Sequence, residues 1–344
     1  MNIEFKFLKE SNVSKEEYWT FLEKGYGNQA KHKLEERFPW LDKTDKYRIL
    51  LAIENGKIIG QACSYEVTAI AEGQEIPLTW GIDNIVLPEA RGKGVGKKLQ
   101  KILHESTPNF SSAWYSWTNG HIKKICGAKA FGFNRFPYYG ISKFGSIYLE
   151  IVLHLIFKKR ITIPFKVPNL YYRLFLRKKL KDYILTEIKE FTQEHINFIQ
   201  DTLIQKYDFY VKRDKEYLKW RYKENPTIKG FHIIEVKKND VIVAIISFTE
   251  PRNRNFVRTL YFGSTILDLF IKDGMSFTKK DALKIVVEYY MRKGIILDGI
   301  STIFDIPYFA KINYPRKGIP FLSTYNGEIK KPYISLLDQD MEQM

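Results

Sequence analysis

The chain has 344 residues, enough for two domains, and with 44% hydrophobic residues it can fill real cores. Two cysteines, Cys63 and Cys126, exclude a disulfide framework and predict buried free thiols in a reducing cytoplasm. A net charge of +16 calls for an anionic partner, while the longest apolar run, 147–157, falls short of the ~20 residues that span a bilayer.

In chain order, Ile3–Leu8 alternates and predicts a first strand; its charge and alternation do not fit a secretory leader. Ser14-Lys15-Glu16-Glu17 is a capping-box pattern that opens a helix to about Lys24, and Gly25 and Gly27 break it. A second helix is predicted from Gln29 to Arg37, stopping before Pro39. Tyr47–Glu54 and Lys57–Thr68 read as strands joined by Asn55-Gly56, the dipeptide of a tight hairpin. A strand from Ile76 to Leu87 runs into Arg91-Gly92-Lys93-Gly94-Val95-Gly96, and helical periodicity follows to about Ser106. Ser112–Thr118 is a predicted strand, and Asn119 a predicted cap for a helix to about Ala128.

The glycine turn carries the sharpest functional signal. A strand that ends in a glycine-rich turn and opens a helix makes an anion site, because free N–H groups and the helix dipole converge there. The turn lacks the lysine–serine/threonine pair of a nucleotide P-loop and the three-glycine spacing of a dinucleotide fingerprint. Val86-Leu87-Pro88 followed by Arg91, Gly94 and Gly96 resembles instead the pyrophosphate loop of the GNAT superfamily of acyl-CoA N-acyltransferases. The resemblance covers about residues 1–140, where the predicted element order is also that of a GNAT domain. It implies acetyl-CoA as acyl donor, held by Val86, Arg91, Gly92, Lys93, Gly94, Val95, Gly96 and Lys97. Asn119 and Gly132-Phe133 resemble the second half of that site, where the family's strands splay and the pantetheine arm pairs with freed backbone. One position departs from the family: Ala128 stands where many members carry the tyrosine that protonates the leaving thiolate. Tyr138 and Tyr139 are the candidate substitutes. Asp83, on the strand entering the loop, is the candidate base, with an ordinary hydrogen-bonding strand-end aspartate as the competing reading.

Residues 141–182 read as a basic, partly helical connector, with ten Lys/Arg against Glu150 and Asp182. In a helix, Glu150, His154 and Lys158 would share one narrow stripe, with apolar residues nearly everywhere else. A helix packed between domains and an interfacial helix on an anionic membrane, in contact through 147–181, both fit this pattern. From Tyr183 the element order starts again without an anion loop: Lys272–Lys280 holds a single glycine. A last helix is predicted from Pro307.

The expected fold is therefore α/β: two GNAT-like domains, each a mixed, mostly antiparallel sheet flanked by helices, at 1–140 and, degenerate, at 183–335. The six histidines are scattered, and neither Cys-x-x-Cys nor His-Glu-x-x-His occurs, so no metal is expected. The expected function is cytoplasmic N-acetyl transfer to the amine of a small molecule such as an amino sugar or envelope precursor, with no nucleic-acid partner. Two alternatives stay open: a Fem-type transferase using aminoacyl-tRNA, and a non-catalytic acyl-CoA-binding protein.

Overall fold

The computed structural model of the chain describes residues 3–112, 117–140, 152–153, 155–158, 180–226, 230–256, 259–302, 304–306 and 311–335. Strand β1 (Ile3–Phe7) leads to helix α1 (Lys15–Tyr26), which Ser14 and Glu17 cap reciprocally. Helical structure then continues from Gly27 to Asp42, past the stop expected before Pro39. Lys33–Arg37 forms a π turn in which Phe38 N–H bonds back to Lys33, and the wider turn carries the ladder over a proline that has no N–H to give. Strands β2 (Tyr47–Glu54) and β3 (Lys57–Ala71) join at Asn55 and Gly56, both with positive φ (51° and 73°), as a tight hairpin requires. Then come β4 (Gln74–Val86), α2 (Val95–Ser106), β5 (Phe110–Ser112), α3 (Trp117–Ile125) and β6 (Lys129–Gly140). Of the strand expected at Ser112–Thr118, only Ser112 is strand, as the end of β5; 113–116 lie outside the described residues, and Trp117 and Thr118 open α3 instead. Asn119 lies inside the first turn of α3 and not at its cap.

Beyond residue 180 come β7 (Ile184–Glu187), α4 (Gln193–Lys206), β8 (Phe209–Val211), β9 (Phe231–Lys238), β10 (Val241–Thr249) and β11 (Arg252–Phe256). They are followed by β12 (Thr259–Ile271), α5 (Lys279–Arg292), β13 (Gly299–Ser301), β14 (Lys311–Ser323) and β15 (Pro332–Tyr333). The helix expected from Pro307 is in fact β14 over its described part; Pro315, Gly318 and Pro320 would all fall in a helix interior.

The chain forms two compact units whose segments interleave. The first is Met1–Phe133, Tyr207–Thr227 and Ile319–Ile334; the second is Asn134–Lys206, Ile228–Gly318 and Ser335–Met344. A division at 140 and 183 keeps these segments apart, but strand pairing draws two of them back to the first unit. Phe209–Val211 pairs with Ala69–Ala71 at the far end of β3, β15 lies parallel to β8, and Leu322 and Ser323 pair with β5. Trp220 stacks on Trp40 at 4.7 Å, and the two indole N–H groups donate to each other's backbone carbonyls.

In the first unit the sheet order is β1-β2-β3-β4-β5, antiparallel except for the parallel pair β4–β5. One face packs on α1 and the run to Asp42 through Tyr18, Phe21, Leu22, Phe38 and Leu41; the other packs on α2 through Leu99 and Leu103. The second unit repeats the plan: β7-β9-β10-β12-β13, again antiparallel except for the last, parallel pair. Its core joins these strands to α5 through Leu283, Val286 and Tyr290. Each unit is thus a mixed, mostly antiparallel sheet flanked by helices.

Cys63 is a buried free thiol, as expected; Cys126 is free but only partly covered. The less regular feature of the first core is a buried lysine. Phe110 fills the space that Gly81 leaves, since a Cβ there would stand 2.1 Å from the ring. His104 stacks on Phe110 at 3.9 Å, and the Lys123 ammonium lies 5.7 Å from the ring centre. Burial draws the Lys123 pKa down to about 7. Above that pH the folded chain has shed a proton that the unfolded chain still binds, so stability should rise with pH from about 7 toward 10, by up to ~1.4 kcal/mol per unit. Urea melts of the native chain and of Lys123→Met at about pH 7 and pH 9 test this; the variant should be flat where the native chain gains.

Candidate functional site

The site begins where β4 outruns its neighbour. β4 and β5 pair only at Thr79–Phe110 and Trp80–Ser111, and β4 continues alone on that side from Gly81 to Val86 among the described residues. Across the other edge, Gln61 pairs with Ile85 and Cys63 with Ile82, so Asp83 and Asn84 together face Ala62 in a β-bulge. Asp83 takes the left-handed backbone this requires (φ 46°). Beyond the bulge, Leu87 N–H bonds back to Ile59 O at 2.9 Å. Alternation along the strand therefore turns the Val86 N–H and carbonyl toward the open edge, where Arg91 Nε donates to that carbonyl at 3.1 Å.

The turn that follows leaves a helix end open. Gly92 and Gly94 have φ of 81° and 78°, which no ordinary side chain adopts cheaply; Gly94 is the N-cap of α2 and offers no side-chain cap. The first intrahelical bond, Lys98 N–H to Gly94 O, measures 3.1 Å, so by helix geometry the amides of Val95, Gly96 and Lys97 have no carbonyl to reach within the helix. Gly96 is under neither constraint: its φ is not left-handed, and a Cβ there would meet only Val86 at 3.5 Å, an ordinary contact. The first turn of α2 holds no acidic residue. Arg91 is exposed, whereas Lys93 is held by Glu54 at 3.1 Å.

A cavity of about 650 Å³ lies against this end, bounded by the turn, by Asn84, Ile85 and Val86 of β4, and by Gln100 and Ile122. Gln100 Nε2 donates to Asn84 Oδ1 at 2.9 Å, tying α2 to the bulge. The second unit shows what a closed counterpart looks like. The helix at the matching place, α5, has Thr278 as N-cap and the buried Asp281 carboxylate folded over its own N-terminus, where it accepts from Thr278 N–H and Oγ1 and lies 3.2 Å from Lys284 Nζ. One helix start is filled by an internal anion; the other faces a cavity with its amides free for an external one.

The model of the acetyltransferase (GNAT) family matches residues 14–107, a span holding the bulge, the turn and α2. Residues 14–107 are a GNAT acetyltransferase domain. The fold likeness extends over both units. A GCN5-related N-acetyltransferase from Anabaena variabilis superposes with a TM-score of 0.58 at 11% identity, covering 93% of this chain and 72% of that one. A GCN5-related N-acetyltransferase from Kribbella flavida gives 0.54 at 8% identity, covering 93% and 71%. Saccharomyces cerevisiae N-myristoyltransferase with bound myristoyl-CoA gives 0.50 at 12% identity, covering 95% and 83%. A search of curated proteins finds no match.

The expected acid and base do not sit in the GNAT domain as free groups. Asp83 is buried, with Lys33 Nζ on one carboxylate oxygen and Arg37 Nε 3.2 Å from the other. Burial alone would raise its pKa, but Arg37 and Lys33 more than reverse this and hold it below the ordinary carboxylate range. A carboxylate so held is a poor base. It acts instead as an anchor for the bulge, whose backbone carbonyl at Asp83 also accepts from Tyr26 Oη (2.9 Å) and Gln61 Nε2 (3.2 Å). Tyr139 is fully buried in the second unit; its hydroxyl donates to Phe304 O and accepts from Ile306 N–H, and burial raises its pKa. That hydroxyl is thus engaged both as donor and as acceptor. The side chains of Tyr138 and Asn119 lie outside what the structure describes. Ala128 is buried just before β6. The groups that the sequence reading missed are Lys33, Arg37, Gln61 and Gln100. The one available signal was the Lys33/Arg37 spacing, which puts two cations on one helical face.

Proposed function

We propose that the first unit binds an acyl-CoA and that the chain transfers its acyl group, acetyl in the simplest case, to the amine of a small molecule. The observation that carries this reading is the uncapped start of α2, with left-handed Gly92 and Gly94, beside the unpaired edge of β4. The free amides of Val95, Gly96 and Lys97 suit a pyrophosphate, and Arg91 and Lys97 add charge beside it. The thioester would supply the electrophilic carbonyl; attack by the amine forms the C–N bond, breaks the C–S bond and leaves a thiol. Val86 N–H, aimed at the same edge, is the donor placed to stabilise the oxyanion. With Asp83 held by two cations, the amine's proton would leave through water. Phosphate-bearing amino sugars or envelope precursors in the cytoplasm suit a chain of charge +16.

One observation favours a second reading. Asp83 and Tyr139 both have fixed structural partners, and Ala128 occupies the family's acid position, which fits a protein that binds acyl-CoA without turning it over. A Fem-type aminoacyl transfer has less support, because it makes no use of a pyrophosphate site.

Thiol release from acetyl-CoA, measured against panels of amino sugars, amino acids and polyamines, separates the readings. An acceptor-dependent rate above the slow hydrolysis baseline is expected. Tight acetyl-CoA binding with no acceptor-dependent thiol from any panel would instead establish the non-catalytic reading.

A further inference from the structure

Val152, Leu153, Leu155, Ile156 and Phe157 are helical, and four of these side chains stand in the open: Val152 is 47% exposed, Leu155 63%, Ile156 63% and Phe157 57%. Other exposed large apolar residues, such as Ile125, Ile184, Ile204 and Val241, are each isolated in sequence. Single exposed apolar residues need no explanation, but a run of them marks an interaction face. Helical spacing brings residues 152, 155 and 156 onto one side.

Charge says what the face meets. The helix ends at the exposed Lys158, whose backbone turns left-handed (φ 55°), and the sequence continues Lys159-Arg160 and later Arg177-Lys178-Lys179. The stretch 141–182 carries ten basic residues against two acidic ones, half of the chain's net +16. A second copy of this chain would bring the same positive excess to the same face and be repelled. No helix among the described residues is long and apolar enough to cross a membrane. An apolar strip that ends at an exposed lysine, within a strongly basic stretch of sequence, fits a surface with apolar depth and anionic headgroups. We infer that Val152, Leu155, Ile156 and Phe157 insert into an anionic lipid surface, with Lys158 on its headgroups. Such docking would hold the chain at a bilayer whatever reaction it performs.

The test is flotation of the full chain with phosphatidylcholine vesicles, alone or mixed with phosphatidylserine, at low and high salt. Binding to the mixed vesicles at low salt, lost at high salt, is expected. A basic residue beside an anionic surface is worth roughly fivefold in partitioning. Lys158→Gln should therefore weaken binding roughly fivefold. Leu155→Ser/Ile156→Ser/Phe157→Ser should weaken it with every charge intact. In Phe157→Trp the indole emission should shift to the blue only with mixed vesicles, which reports insertion in a chain with its apolar strip kept. Failure of the native chain to float, equal binding to neutral vesicles, or a serine variant that floats like the native chain would each overturn the inference. So would a serine variant that changes only the oligomeric mass in solution, which would assign the face to a second copy.

Discussion

Gly94→Asp should erase the rise in melting temperature that acetyl-CoA gives the native chain. A ligand at 100 times its dissociation constant stabilises by ~2.7 kcal/mol, an effect easily seen in a thermal melt. The substitution acts in two ways. It places a side chain on a backbone with φ of 78°, and it puts a carboxylate at a helix start whose value lies in being empty and positive. Asp281 in the second unit already shows an aspartate occupying such a start. Gly96→Ala is the companion measurement, since its Cβ would make only an ordinary contact with Val86 and the ligand response should largely survive. An unchanged shift in a folded Gly94→Asp protein would take the turn out of the binding argument.

Asp83→Asn should produce the largest stability loss of any single change at the site, about 3–5 kcal/mol, because it leaves the buried Lys33 and Arg37 without their counter-charge. The sign with pH follows from the depressed Asp83 pKa. The stabilisation is present above the unfolded value of about 3.9 and is lost as pH falls through the lower folded value. The gap between the native chain and Asp83→Asn, measured in urea melts, should therefore be wide near neutral pH, narrow as the pH falls below about 4, and close only below the depressed folded value, where the native carboxyl is also protonated. A gap independent of pH would mean that the carboxylate's charge is not what holds the bulge.

The parts of this molecule that were legible in the sequence are those whose chemistry is local. The Ser14–Glu17 capping box, the Asn55-Gly56 hairpin and the glycine turn each declare themselves within a few residues, because the backbone conformation they need is set by their own side chains. The mixed, mostly antiparallel sheet of each half followed from element order and the family resemblance. What stayed hidden was whatever depends on distant partners. Lys33 and Arg37 meet Asp83 across about fifty residues, and nothing near Asp83 tells that its carboxylate is taken. Tyr139 was read as a proton donor because its hydroxyl's partners, at residues 304 and 306, lie far along the chain. A helix was read from Pro307 because the pairing that makes Lys311–Ser323 a strand is long-range, as with Leu322 and Ser323 on β5. Pro39 was read as a stop because a π turn has no simple sequence signature.

The return of Tyr207–Thr227 and Ile319–Ile334 to the first unit sets a timetable for synthesis. A ribosome that has finished the GNAT domain's helices and central strands has not yet made β8, the end of β14, or β15, which complete that unit's sheet. At 5–20 residues per second the remaining stretch takes roughly 10 to 40 seconds to emerge. The far end of β3 waits unpaired until β8 emerges, and the edge of β5 until nearly the end of that interval, each exposed meanwhile to any other strand nearby. The first unit to begin is thus among the last things to finish, and a fragment cut after residue 140 would keep the glycine turn while losing the strands that close its sheet.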